Sequence, residues 1–188
     1  RITRAVALEE LKNGYVTKLH VTPVKEEGCW HAQVEACVKN LEAQLFSGQL
    51  RLTIAGAGIR KTEAVCPFKA AGGEEVVLCT DIACADATEW SPETPVLYTV
   101  SAVLENCQGE AVDDLIDRFG FREVQVSGKD ILLNGKKLGI RGFCRHEDHP
   151  QFGCALPLAA MQQDLLLMRD MGANSVRTSH YPNDEIFL

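Results

Sequence analysis

Cys29-Trp30-His31-Ala32-Gln33-Val34-Glu35-Ala36-Cys37-Val38 alternates along its whole length. Trp30, Ala32, Val34, Ala36 and Val38 fall on one face; His31, Gln33 and Glu35 fall on the other. Side chains of an extended chain point alternately to opposite faces, so this rhythm predicts a half-buried strand of an antiparallel sheet. The rhythm returns in Gln49–Ala55, where Leu50, Leu52 and Ile54 alternate with polar residues. Tyr15–Val21, Ala64–Phe68, Glu75–Cys79 and Leu97–Leu104 read as further strands, punctuated by Gly48, Gly56, Gly72-Gly73, Pro92, Pro95 and Gly109. About seven short strands in roughly 105 residues predict an immunoglobulin-like β-sandwich. No Cys–Trp–Cys arrangement with antibody spacing accompanies them, so the sandwich is expected without that disulfide.

After Phe121 the pattern changes. Val124–Leu138 reads as a ribbon turning at Ser127-Gly128 and at Asn134-Gly135, and Asn-Gly is a strong two-residue hairpin signal. Gly139–Cys144 reads as a short, largely buried strand, and Asn174–Arg177 as another. Between them Leu156–Met171 predicts a helix, with Pro157 in its first turn, a stripe of Leu158, Met161, Leu165 and Met168, and Gly172 as its C-terminal cap. Strand, helix and strand at this spacing make a βαβ unit and imply a parallel pair. One such unit cannot close a barrel or cover its own strands. The fold class is mainly β: a sandwich followed by an incomplete TIM-barrel β-α-β segment. Asp184–Leu188 reads as the opening of a further element, so the chain is expected to be a fragment.

Composition narrows the function classes. With 46% hydrophobic and 24% charged residues the chain is globular in type, and its net charge of −7 leaves no basic stripe for nucleic acid. No run of about 18 apolar residues predicts a membrane span. Eight cysteines, without CxxC pairs, are expected as free, mostly buried thiols in a reducing compartment, hence a cytoplasmic location. Unpaired cysteine spacing also argues against a zinc site.

Two segments carry chemistry, each following a strand of the βαβ unit. The first is Arg141-Gly-Phe-Cys-Arg145-His146-Glu147-Asp148-His149-Pro150; the second is Asn174-Ser-Val-Arg177-Thr-Ser-His180-Tyr-Pro182. In (β/α) barrels the C-terminal strand ends face the active site. Plainer readings stand beside this one: Arg177 as a solvated or salt-bridged residue, His180 as a cap of the next helix, and the charged loop as wet surface. His146 and His149 at i and i+3 are a weak metal signal without a third ligand. Glu147 and Asp148 are adjacent, and a retaining glycosidase needs carboxyl groups about 5 Å apart across the scissile bond, so they are not such a pair.

Arg177-Thr-Ser-His180-Tyr-Pro182, followed after four residues by Phe187-Leu188, resembles the first signature of family 2 glycoside hydrolases, the β-galactosidase/β-glucuronidase type. Leu133-Asn134-Gly135-Lys136 and Arg141-Gly142…Arg145-His146-Glu147 are similar to that family's entry into its barrel, and Asp164, Met168 and Gly172-Ala173-Asn174 to the helix and turn that follow. Trp90-Ser-Pro-Glu93…Leu97-Tyr98 and Phe119-Gly-Phe121-Arg122 resemble late strands of its second domain, and Ile2, Arg4, Val6 and Leu8 the last strand of its sugar-binding first domain. The resemblance divides the chain into residues 1–10 (last strand of the preceding domain), 11–122 (sandwich) and 123–188 (start of the barrel).

It implies a parent that is a retaining exo-β-glycosidase working through a covalent intermediate on a β-linked sugar. A β-galactosidase is expected first, because Arg145–Pro150 and Asn183-Asp184 resemble that branch; a β-glucuronidase is the alternative, because the His-Glu-Asp triplet occurs there too. A non-catalytic carbohydrate- or protein-binding module is the reading from another class. By the resemblance, Arg177 sits beside the nucleophile and keeps it ionised and aimed, while His146 and His180 contact the sugar. Both catalytic glutamates lie beyond Leu188, so the isolated chain is expected to be inactive. Relatives of this kind often bind Mg²⁺ or Na⁺, but the sequence identifies no ligand for either. Phe143-Cys144 departs from the Val-Asn of many relatives. The uncovered strand edges and helix stripe predict self-association, hence an oligomer.

Overall fold

The strands read from the apolar rhythm all form, and most run longer than the rhythm itself. A computed structural model describes residue 4, residues 6–56 and residues 59–188. It divides into two units: Glu10–Lys137, and Leu138–Leu188 with the described residues that precede Glu10.

In the first unit the strands are β1 (Gly14–Glu26), β2 (Cys29–Asn40), β3 (Phe46–Gly56), β4 (Ile59–Ala70), β5 (Glu75–Cys84), β6 (Tyr98–Asn106) and β7 (Ala111–Phe119). One antiparallel sheet runs β1-β2-β5 and the other β4-β3-β6-β7. Their facing sides form one core: Ala32, Val34, Ala36 and Val38 from β2, Leu50, Leu52 and Ile54 from β3, and Val100, Ala102 and Leu104 from β6. Two twisted sheets meeting over interdigitated side chains make a β-sandwich. The rhythm did not reveal β7, because Asp113 and Asp117 interrupt the face that carries Leu115 and Phe119. One of these acids has a structural partner: Asp113 Oδ2 accepts the Val16 N–H at 2.7 Å, beside a bulge in β1.

At one end of the sandwich Phe121 joins Tyr98 and Phe119 edge-on, with ring centroids 5.1 and 5.0 Å away. Gly120 permits this turn, since a Cβ there would lie 2.9 Å from Trp90 Cβ. Buried Asn40 is satisfied: its amide donates to Gln44 O at 2.8 Å and Ala71 O at 2.9 Å, and its Oδ1 accepts from Glu42 N–H at 2.8 Å. The cysteines are all free, yet the expectation of mostly buried thiols is corrected. Cys37 and Cys84 are buried, whereas Cys79, Cys107, Cys144 and Cys154 are exposed. Alternation explains Cys79, which falls on the outer face of β5. Burial pushes the Cys84 thiol up to about 11.

The ribbon forms as β8 (Val124–Ser127), β9 (Asp130–Leu133) and β10 (Lys136–Lys137). Asn134 and Gly135 both take positive φ, 50° and 74°, the conformation that a tight Asn-Gly hairpin requires.

The second unit holds β11 (Gly142–Arg145), the helix α1 (Leu158–Asp170) and β12 (Ser175–Thr178), with β11 and β12 parallel. Gly172, with φ 82°, ends the helix: its N–H donates to Arg169 O and the Ala173 N–H to Met168 O. That pair of bonds is the Schellman motif, which favours glycine at this position. One expectation fails here: β11 is not largely buried, because Gly142, Phe143 and Cys144 are exposed. The α1 stripe is largely uncovered, as expected; only Met161 is buried, while Leu158 and Leu165 are exposed. Both follow from a sheet of two strands, which does not close a barrel among the described residues. Of the strand expected over residues 1–10, Ile2 lies outside the described residues, and residues 6–10 form no strand, with Val6 and Leu8 exposed. No helix of the described residues is long and apolar enough to cross a membrane.

Candidate active site

The two chemistry-bearing segments leave adjacent parallel strands. Register pairs Gly142 with Ser175, Phe143 with Val176, Cys144 with Arg177 and Arg145 with Thr178. Gly142 is required at the start, because a Cβ there would lie 2.0 Å from Ser175 O. Asn174 fixes the same end, accepting from Arg141 N–H and donating to Gly139 O, each at 2.8 Å.

Alternation then sorts the side chains. Cys144 and Arg177 share one face of the pair, with Arg177 Nη1 3.8 Å from Cys144 Sγ. His146 continues the Cys144 face. By simple alternation His180 would continue the Thr178 face, yet its backbone takes φ 60°, a conformation uncommon for a residue with a side chain. The two rings thereby come together, with centroids 5.4 Å apart and planes at 55°. Strain of this kind persists where surrounding structure enforces it, and it clusters at functional sites. Thus His146 and His180 meet, and both they and Arg177 are exposed. Among the described residues no hydrogen bond joins Arg177 to either imidazole.

His180 does not cap the following 3-10 turn, Glu185–Phe187; Asp184 does, accepting the Ile186 N–H at 3.1 Å. His149 is not paired with His146 but stacks on Phe152 at 4.8 Å within its own tight turn. The charged loop, however, is not simply wet. Arg145 and Glu147 are buried, on the opposite face from His146. Arg145 Nε donates to Asp164 Oδ2 on α1 at 2.9 Å, and the guanidinium lies 4.3 Å over the Phe187 ring. Glu147 Oε1 lies 3.6 Å from Arg145 Nη1, and Oε2 accepts from Arg4 Nη2. Sequence reasoning missed this cluster. The signal was available, because period two places residues 145 and 147 together beneath the 144/146 face.

A hard cation such as Mg²⁺ or Na⁺ takes oxygen ligands. The described residues bring together no group of three His, Cys, Asp or Glu that could hold a metal. The His146–His180 pair offers nitrogen only, so these residues do not by themselves fit such an ion.

Residues 14–122 match the model for glycosyl hydrolases family 2, and residues 124–188 match the model for the TIM barrel domain of the same family. The chain belongs to glycosyl hydrolases family 2. This member is 41% identical over 116 residues to a β-galactosidase of Pseudoalteromonas haloplanktis, covering 62% of the chain and 11% of that relative. It is 34% identical over 171 residues to a β-galactosidase of Enterobacter cloacae, covering 80% of the chain and 17% of that relative. Among solved structures, a family 2 β-galacturonidase from Eisenbergiella tayi bound to galacturonate superposes with a TM-score of 0.88 at 52% identity, covering 95% of the chain and 31% of that protein. A Bacteroides uniformis β-glucuronidase superposes with a TM-score of 0.82 at 27% identity, covering 94% and 23%. The family 2 chain therefore spans well under a third of the curated relatives it matches.

Proposed function

We propose that this chain belongs to a retaining exo-β-glycosidase that releases a terminal sugar of galacto configuration, with β-galactosidase as the first reading. Residues 11–122 supply its second domain and residues 123–188 open its barrel. The observation that carries the proposal is the His146–His180 ring pair, 5.4 Å between centroids, at the C-terminal ends of two parallel strands. Imidazoles at that separation suit neighbouring hydroxyls of one sugar ring. Hydrogen bonds that tighten as the ring distorts lower the barrier. Arg177, on the same sheet face as His146, supplies a fixed positive charge to orient a carboxylate nucleophile. The nucleophile and the acid/base come from residues outside this chain, so the 188-residue chain alone turns over no substrate. A cytoplasmic location goes with this reading, since all eight cysteines are free.

A second reading, β-galacturonidase, is favoured by the 52% identity over 95% of the chain to such an enzyme. The two differ at C6 of the sugar, hydroxymethyl against carboxylate, and share the ring configuration. Turnover of nitrophenyl β-galactoside, β-galacturonide and β-glucuronide by the full-length enzyme separates them. The first reading expects the highest kcat/KM on the galactoside, and the second on the galacturonide. Preference for the glucuronide returns the assignment to β-glucuronidase, and turnover of none of the three overturns the proposal in favour of a binding module.

A further inference from the structure

We propose that Arg4, Glu147 and Tyr181 form a brace whose task is to hold His180 against His146; the proposal rests on reading those two imidazoles as the sugar-facing pair. His180 needs such a device. Its φ of 60° is unfavourable for a residue with a Cβ, and its ring is exposed, so packing does not hold it in place. The loop that carries it is pinned on its C-terminal side at two points, and both lead to Glu147. The Glu147 backbone N–H donates to Tyr181 Oη at 2.5 Å. The Glu147 carboxylate accepts from Arg4 Nη2, and the same Nη2 donates to the Pro182 carbonyl at 3.0 Å. Residues 181 and 182 are thus tied to the residue that directly follows His146.

The anchor itself is fixed. Glu147 is buried, and a carboxylate is held in such a place only by paired charge. Arg145 supplies that charge from one side and is itself held by Asp164. Arg4 supplies it from the other, and its side chain is 31% exposed. The arrangement differs from an ordinary structural ion pair in what it spans. Its backbone N–H, beside His146, holds the Tyr181 hydroxyl directly, and its carboxylate reaches the Pro182 carbonyl through Arg4. Glu147 is accordingly a positioning residue that does not touch sugar.

The test uses the 188-residue chain without sugar, so its outcome is independent of whether the substrate assignment holds. In the wild-type chain an NOE is expected between the His146 and His180 ring protons. Tyr181→Phe removes one pin and Arg4→Ala the other, and neither removes a partner of the half-buried Arg145–Asp164 pair. Each variant is expected to weaken the ring-to-ring NOE at least twofold, and the double variant to abolish it. All three should retain the Phe143–Val176 cross-strand NOE. Arg4→Lys, which keeps the cation, should retain most of the ring-to-ring signal. A ring-to-ring NOE that is absent from the wild type, or undiminished in the double variant, overturns the proposal. So does joint loss of the cross-strand NOE in both single variants, which would assign these residues to folding.

Discussion

The two units of this chain spend their apolar residues differently. In the sandwich, Leu50, Leu52 and Ile54 on β3 are each at most 1% exposed, and the polar side chains between them face solvent. In the βαβ unit the helix is apolar on several faces, yet Leu165, Leu166 and Leu167 remain 39%, 43% and 51% exposed. The buried side chains of its strand ends are instead polar or charged: Arg145, Glu147 and Ser179. Two sheets facing each other satisfy the apolar alternation of both, so the sandwich needs nothing further. A helix that carries leucines beyond one buried stripe belongs inside a larger layered structure. The lesson is that the first unit buries its apolar residues between its own sheets, whereas the second leaves much of its apolar surface uncovered.

The largest test of this contrast is a pair of identical deletions. Leu52→Ala opens a cavity where both sheets meet, and is expected to cost about 3–5 kcal/mol. Leu166→Ala on the exposed helix surface is expected to cost under about 1 kcal/mol, since little apolar area is recovered from water. Urea unfolding followed by tryptophan fluorescence reads the first, because Trp30 lies in the same core. Equal losses in the two variants would break the comparison.

What could be read from the sequence divides along the same line. The faces of β2 and β3 were legible because alternation is a local property, and a sandwich buries one face of each strand. β7 was not, since Asp113 points to a backbone amide on another strand, and only the folded sheets show that a buried donor awaits it. In the second unit the family resemblance singled out His146, Arg177 and His180, and the structure brings the two histidines into contact. Arg145 and Glu147 went unread because charge in a loop normally means solvent. Their burial depends on Asp164, nineteen residues from Arg145, and on Arg4 near the start of the chain.

A second prediction uses thiols as probes. Cys84 is buried in the sandwich with its pKa pushed up to about 11 from an ordinary 9.0, first by burial and then by the neighbouring Cys29 and Asp81. The thiolate is the reactive form, so at pH 8 a thiol with a pKa of about 11 holds about a hundredfold less of it than an ordinary one. Raising pH toward 11 should restore reactivity. Cys154 is exposed in the other unit, within reach of an alkylating agent. Mass-resolved alkylation with iodoacetamide under native conditions should therefore modify Cys154 at least a hundredfold faster than Cys84. Comparable rates would mean that the sandwich opens far more readily than its core implies.

The smallest expected effect concerns association. Leu158 and Leu167 are 44% and 51% exposed on α1, Met171 at its C-terminal cap is 65% exposed, and Ile186 and Leu188 are exposed in the same unit. Apolar surface of this kind is normally covered, and a second copy of the chain is the partner available in a pure sample. The contact would be small, and small patches give weak complexes, so a monomer–dimer equilibrium in the high micromolar range or above is expected. Sedimentation velocity should show a weight-average coefficient that rises with concentration. Leu166→Glu combined with Leu167→Glu should flatten that rise without altering the unfolding of the sandwich, because neither side chain reaches its core. If the rise persists unchanged in the double variant, the edges of β11 and β12 rather than the helix are joining the copies. A wild-type chain that stays monomeric at several milligrams per millilitre would mean that the leucines of α1 are tolerated in water, and that the contrast between the two units is one of composition alone.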